Sequence, residues 1–164
     1  MGFSTGMNLA TKAQIVQTVV PATYTGAAST DAYLTLKNAT HVTFIIQTGA
    51  WAGGTAAVTL LQATTVAGGS SKALAFTQMW TNKAAVTSSV LVNTAVVSNT
   101  FNLDTANAIY VVEVDASQLD LANNFDCIAL HVATPGANAD YYAIVAVLGQ
   151  PRFIAATVPN ALVD

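Results

Sequence analysis

The chain has 164 residues, enough for one domain that buries roughly two-thirds of its unfolded surface. Hydrophobic residues make up 53% of it and charged ones only 8%, where globular proteins carry about 25% charged residues. Net charge is −3, and the five basic residues (Lys12, Lys37, Lys72, Lys83, Arg152) are scattered, so no basic stripe exists for direct nucleic-acid binding.

So apolar a composition raises the question of a membrane span. No stretch of about 20 residues is uninterrupted: the best, residues 127–148, contains His131, Pro135, Asn138 and Asp140. The opening MGFSTGMNLATKAQ has no basic segment followed by an apolar one, so no secretory signal is expected. Gly6 stands where a myristoylation site has Ser or Thr. A single cysteine, Cys127, excludes an intrachain disulfide and fits a reducing compartment. A surface this poor in charge is expected to be covered by copies of itself or by a partner.

In chain order, residues 1 to about 12 read as an extended N-terminal arm. Residues 15–20 form a strand stopped by Pro21, and a loop follows to residue 30. Residues 31–63 hold three β-type runs, at 33–36, 41–48 and 56–62. In the middle run Val42, Phe44 and Ile46 share one face, and Thr43, Ile45 and Gln47 the other. That period of two marks a half-buried antiparallel strand. Asn38-Ala39-Thr40, formally a glycosylation sequon, reads as a hairpin turn. The third run continues to about Val66, and Gly68-Gly69-Ser70-Ser71 turns the chain.

Residues 72–80 read as a strand with Leu74, Phe76, Gln78 and Trp80 on one face, Trp80 being assigned to the core. Shorter runs follow at 90–97 and 100–103, separated by Ser98-Asn99. The most apolar strand is 109–114, after which Ser117 caps a helical turn. Strands at 125–133 and 141–148 flank a turn at Pro135-Gly136, and a tail of residues 150–164 carries Pro151 and Pro159. Eight or nine short strands with almost no helical periodicity predict an all-β chain. The expected fold is a single-domain antiparallel β-sandwich, jelly-roll-like, with one short helical turn near 117–123.

Catalytic chemistry finds little to work with. Cys127 and His131 share a strand face, but at a spacing of about 13 Å, too far for one ion. Glu113, Asp115, Asp120 and Asp126 match no calcium loop, and Asp115 and Asp120 are expected to cap and solvate the helical turn. No nucleophile elbow, zinc-protease helix or P-loop is present, so no enzyme activity, cofactor or metal is expected. The candidates that remain are contact residues. Trp51 lies in a Gly-rich loop, where it either anchors a partner or folds back over the sandwich end. The tail keeps Arg152, Phe153, Ile154, Val158, Leu162 and Val163, an apolar load costly to leave in water at about 1.5–3 kcal/mol per large side chain. It is expected to lie along a neighbouring subunit, the alternative being that it packs back over its own sandwich as a final edge.

One longer pattern runs through VEVDASQLD at 112–120, NFDC at 124–127 and PGANA at 135–139. With LKNATHVTF at 36–44 and the ending Pro151-Arg152-Phe153 and VPNALVD at 158–164, it resembles a family of small tailed-phage virion proteins encoded near the major capsid protein. The resemblance implies a structural role in the particle and no catalytic residues. Together with the composition it leads to the expectation of a head decoration or cement protein in the virion. Its expected partners are the major capsid protein and copies of itself, as a dimer or trimer. Other virion roles are the nearest rivals: a tail component, a head fibre or a receptor-binding module. A hydrolase is the more distant one, and it would need His41 or His131 beside a carboxylate in a pocket.

Overall fold

The computed structural model describes residues 9–29, 32–151 and 159–163. A single helical turn, α1 (Leu9–Lys12), leads into β1 (Gln14–Tyr24), β2 (Leu34–Thr35), β3 (Ala39–Thr48) and β4 (Ala56–Ala63). Next come β5 (Lys72–Ala73), β6 (Gln78–Asn82), β7 (Val92–Ala95), β8 (Thr100–Leu103) and β9 (Ile109–Asp115). Two tight turns, Ala116–Gln118 and Leu121–Asn123, precede β10 (Cys127–Val132) and β11 (Asp140–Pro151).

These strands form two antiparallel sheets packed as a sandwich, as the alternating runs predict. The six-stranded sheet has the order β1-β11-β3-β9-β6-β7. In the five-stranded sheet β10 lies between β2 and β4, and the far side of β4 pairs β8 over Ala56 to Thr59 and β5 at Leu61 and Gln62. Six and five strands do not single out the eight-stranded jelly roll. Most connections cross from one sheet to the other; only β4–β5 and β6–β7 stay within a sheet.

Alternation decides which side chains fill the interior. From β3, Val42, Phe44 and Ile46 point in; from β9, Tyr110, Val112 and Val114; from β11, Tyr142, Ile144 and Ala146. Val58 and Leu60 of β4 and Ile128, Leu130 and Val132 of β10 meet them from the other sheet. Removing each large aliphatic side chain from water stabilises the fold by about 1.5–3 kcal/mol. Phe76 packs edge-on against Phe101, and Tyr24 stacks on Tyr142 with ring centroids 4.3 Å apart.

Several local expectations are corrected. Pro21 does not stop β1. The strand lies at a sheet edge, where a missing N–H is tolerated, and it shifts register between Gln17 and Val19 and again between Val19 and Ala22. The turn after β2 is not a hairpin, because β2 and β3 belong to opposite sheets. Residues 72–80 are not one strand: the chain changes sheets between β5 and β6, which resets the side-chain parity. Leu74 and Phe76 are therefore buried, while Gln78 and Trp80 face outward. Residues 9–12 form a helical turn rather than part of an extended arm, and the last strand reaches Pro151. The turn after β9 is capped by Asp115 rather than Ser117, with the Asp115 N–H donating to Gln118 Oε1 at 2.8 Å.

Candidate functional site

The outer face of the six-stranded sheet carries an apolar stripe. One cross-strand row runs Gln17, Val145, Ile45, Val111, Trp80, Asn93 from edge to edge. Its four central members are apolar and half-buried, on a face where polar residues usually alternate with the core. Next to that row lies a polar group built by the β3–β9 register, which sets His41 opposite Asp115 and Thr43 opposite Glu113. His41 Nδ1 is 2.9 Å from Asp115 Oδ1, and its Nε2 is 3.2 Å from Thr43 Oγ1 and 3.9 Å from Glu113 Oε1.

A cleft of about 280 Å³ opens beside this group, lined among others by Phe76, Gln78, Trp80, Glu113 and Gln118. Its origin is a parting of strands. Pairing of β6 with β9 runs from Asn82 opposite Ile109 to Trp80 opposite Val111. Farther along, β6 stays with β7 as far as Gln78 opposite Ala95, and the walls separate. The resulting cleft brings together an indole, two amides and a carboxylate from β6, β9 and the turn after β9.

The other acidic residues are held apart, each by its own partner. Asp126 lies 3.6 Å from Lys37, and Asp120 is 2.5 Å from Lys72. Hydrogen bonds from Lys72 and Asn123 hold the Asp120 carboxyl below its ordinary value. Asp104 accepts from Lys83 Nζ at both oxygens, at 2.7 and 2.8 Å, and also from Thr105 and the Tyr110 hydroxyl. Burial alone would raise Asp104, but these hydrogen bonds and the Lys83 charge outweigh it and the carboxyl lies low. Burial pushes the Tyr110 hydroxyl up to about 12, so it remains a donor to Asp104. No group of three metal-ligating side chains forms among the described residues. His131 pairs across from Thr59 on the five-stranded sheet, while His41 belongs to the other one.

Trp51 folds back against the core: it is half-buried there, and its Nε1 donates to the Gly54 carbonyl at 3.1 Å. The buried Asp140 anchors this loop, accepting from the Ala52 N–H at 2.6 Å. At the other end of the chain the Ala161 side chain enters the core and its carbonyl accepts from the Thr35 N–H at 2.8 Å. The last turn thus docks on its own sandwich, leaving Leu162 and Val163 exposed beside it. Arg152, Phe153, Ile154 and Val158 lie outside the described residues.

Sequence reasoning missed two features. The cleft residues are far apart in the chain, and no local spacing announces them. The second feature is the edge at β7, which pairs only β6 among the described residues, and here a signal was present: no charged residue occurs between Lys83 and Asp104. Val86, Val90, Leu91, Val92 and Val97 are all exposed there, Val86 at 77% and Val97 at 78%. The two edges of the six-stranded sheet differ, since β1 carries Pro21 and two register shifts and β7 has neither proline nor charge to discourage pairing.

Comparison with protein-family models, curated proteins and solved structures found no match.

Proposed function

We propose that this chain is a structural protein of a tailed-phage particle, a decoration or cement protein that binds the head at junctions of capsid subunits. The apolar, charge-free β7 edge is the observation that most supports this reading. Exposed aliphatics at 86, 90, 91, 92 and 97 flank strand backbone that has no second strand partner among the described residues, the chemistry that strand addition and apolar docking both use. The major capsid protein and further copies of the chain, as dimer or trimer, are the partners it fits. Many copies would bury apolar surface across adjacent shell subunits, and multivalency would turn modest single contacts into stable attachment. The role requires no catalysis and no cofactor.

The test is to add the purified chain to heads assembled without it and sediment the mixture. Wild-type protein should pellet with the heads and raise their melting temperature. The double variant V90K/V92K places charge on the edge without touching the core, so it should keep its fold and lose co-sedimentation. Failure of the wild-type chain to bind such heads, or undiminished binding by the variant, would overturn the edge-docking reading.

A further inference from the structure

The cleft at the parting of β6 and β9 is not explained by attachment through the β7 edge, and its chemistry is specific. The Asp115 N–H donates to Gln118 Oε1, which orients the amide and leaves its N–H₂ group to donate to a ligand. The Trp80 Nε1–H has no hydrogen-bond partner among the described residues. Glu113, 43% exposed, contributes acceptor oxygens, and its own position is shared with His41 3.9 Å away. Gln78 adds a second exposed amide directly along β6 from the indole.

We infer that this cleft is a binding subsite for a neutral sugar ring, a pyranose whose apolar face lies on Trp80 while its hydroxyls meet Glu113, Gln118 and Gln78. A sugar hydroxyl donates and accepts at once, so a vicinal pair fits a site where amide donors stand beside a carboxylate acceptor. The indole supplies the flat apolar surface that a pyranose ring presents on its own C–H face. Ligands of either charge fit less well. A cation would find the Glu113 carboxylate and the Trp80 ring, but it would leave the Gln118 N–H₂ without an acceptor and has one ring instead of an aromatic cage. An anionic sugar would meet Glu113, with Asp115 just beyond it and no cation among the lining side chains. This inference does not rest on the particle reading, because the cleft and the β7 edge can be altered separately.

The experiment uses Trp51→Phe as background, which leaves Trp80 the sole tryptophan and hence the reporter. The probes are the methyl glycosides of glucose, galactose, mannose and N-acetylglucosamine, with N-acetyl-arginine amide as the cationic control. At least one glycoside should shift Trp80 emission saturably, with a Kd in the millimolar range expected of a single ring. Glu113→Gln should weaken it about tenfold at an unchanged melting temperature. Trp80→Ala, followed by saturation-transfer NMR on the glycoside, should abolish it, and Trp80→Phe should retain part of it if the alanine variant is unstable. No glycoside binding below about 100 mM, a response only to the arginine amide, or equal binding by Glu113→Gln would each overturn the assignment.

Discussion

The two sheets treat their outer faces differently. On the five-stranded sheet the outward residues Ala63, Cys127 and Ala129 form a second small core with Tyr33, against which Leu61 and Val66 pack. The chain itself closes this face with the loop after β4, tied by Thr64 N–H to the Gly69 carbonyl at 2.9 Å and by Tyr33 to Ser71 at 2.6 Å. On the six-stranded sheet the equivalent row, Val145-Ile45-Val111-Trp80, is just as apolar, yet its members remain half-exposed. One face therefore satisfies its hydrophobic demand within the chain. The other leaves it open, next to the cleft and next to an edge with no charge on it. The difference locates where this molecule has something to offer a partner, and it can be tested residue by residue.

The largest effect is expected between the sheets and sets the scale. Phe44 is fully buried, so Phe44→Ala should cost about 3–5 kcal/mol in a urea melt. A loss under about 1 kcal/mol would mean the interior is not packed as described.

Next in size is the lid of the covered face. Gly68 has φ +80°, and a Cβ there would come 3.0 Å from the Tyr33 ring. Gly68→Val combines a left-handed backbone with that contact, a cost of about 1–3 kcal/mol. It should also lift the loop and open Cys127, which is fully buried, to a thiol reagent such as DTNB. An unchanged rate of thiol labelling would show that the loop is not what shields this face.

A matched pair then compares the faces directly. Leu61→Thr on the closed face should cost about 1 kcal/mol, because the methyls it loses pack against the second core. Ile45→Thr on the open face should stay within about 0.5 kcal/mol in the isolated chain. Equal losses in parallel urea melts would erase the distinction between the faces.

Much of this architecture was legible in advance. The period of two at Val42-Phe44-Ile46 is a local property, and it survives in β3 because that strand lies mid-sheet with one face buried. The residues 74–80 show where local reading fails. Leu74, Phe76, Gln78 and Trp80 keep a perfect alternation, but the chain changes sheets within them, and parity carries no record of a crossover. Pro21 was misread for a related reason: whether proline breaks a strand depends on whether that strand is an edge. Glu113 and Asp115 were visibly on one face, yet their meeting with His41 depends on a register between strands more than 70 residues apart. The cleft was invisible, since it exists only because β6 leaves β9 while still paired to β7.

The smallest expected effect concerns a tie between the two sheets rather than either face. Asp104 follows β8 of the five-stranded sheet, and it is gripped by Lys83, which follows β6, and by Tyr110 of β9, both in the six-stranded one. Its carboxyl is held below the ordinary 3.8 by the hydrogen bonds of Lys83, Thr105 and Tyr110, which outweigh the opposing effect of burial. A carboxyl whose folded value is depressed contributes stability above its unfolded value, and that contribution disappears as pH falls through the folded one. Stability should thus decline below about pH 4 by an amount that Asp104→Asn removes. The Asp104 side chain is 37% exposed, so solvent screening limits the contribution to about 0.2–1 kcal/mol. Urea midpoints at pH 7 and pH 3 for the wild type and Asp104→Asn would measure it as the difference of differences. If the two proteins lose stability in parallel between those pH values, the Lys83–Asp104–Tyr110 tie contributes nothing, and the sheets are held together by their interior alone.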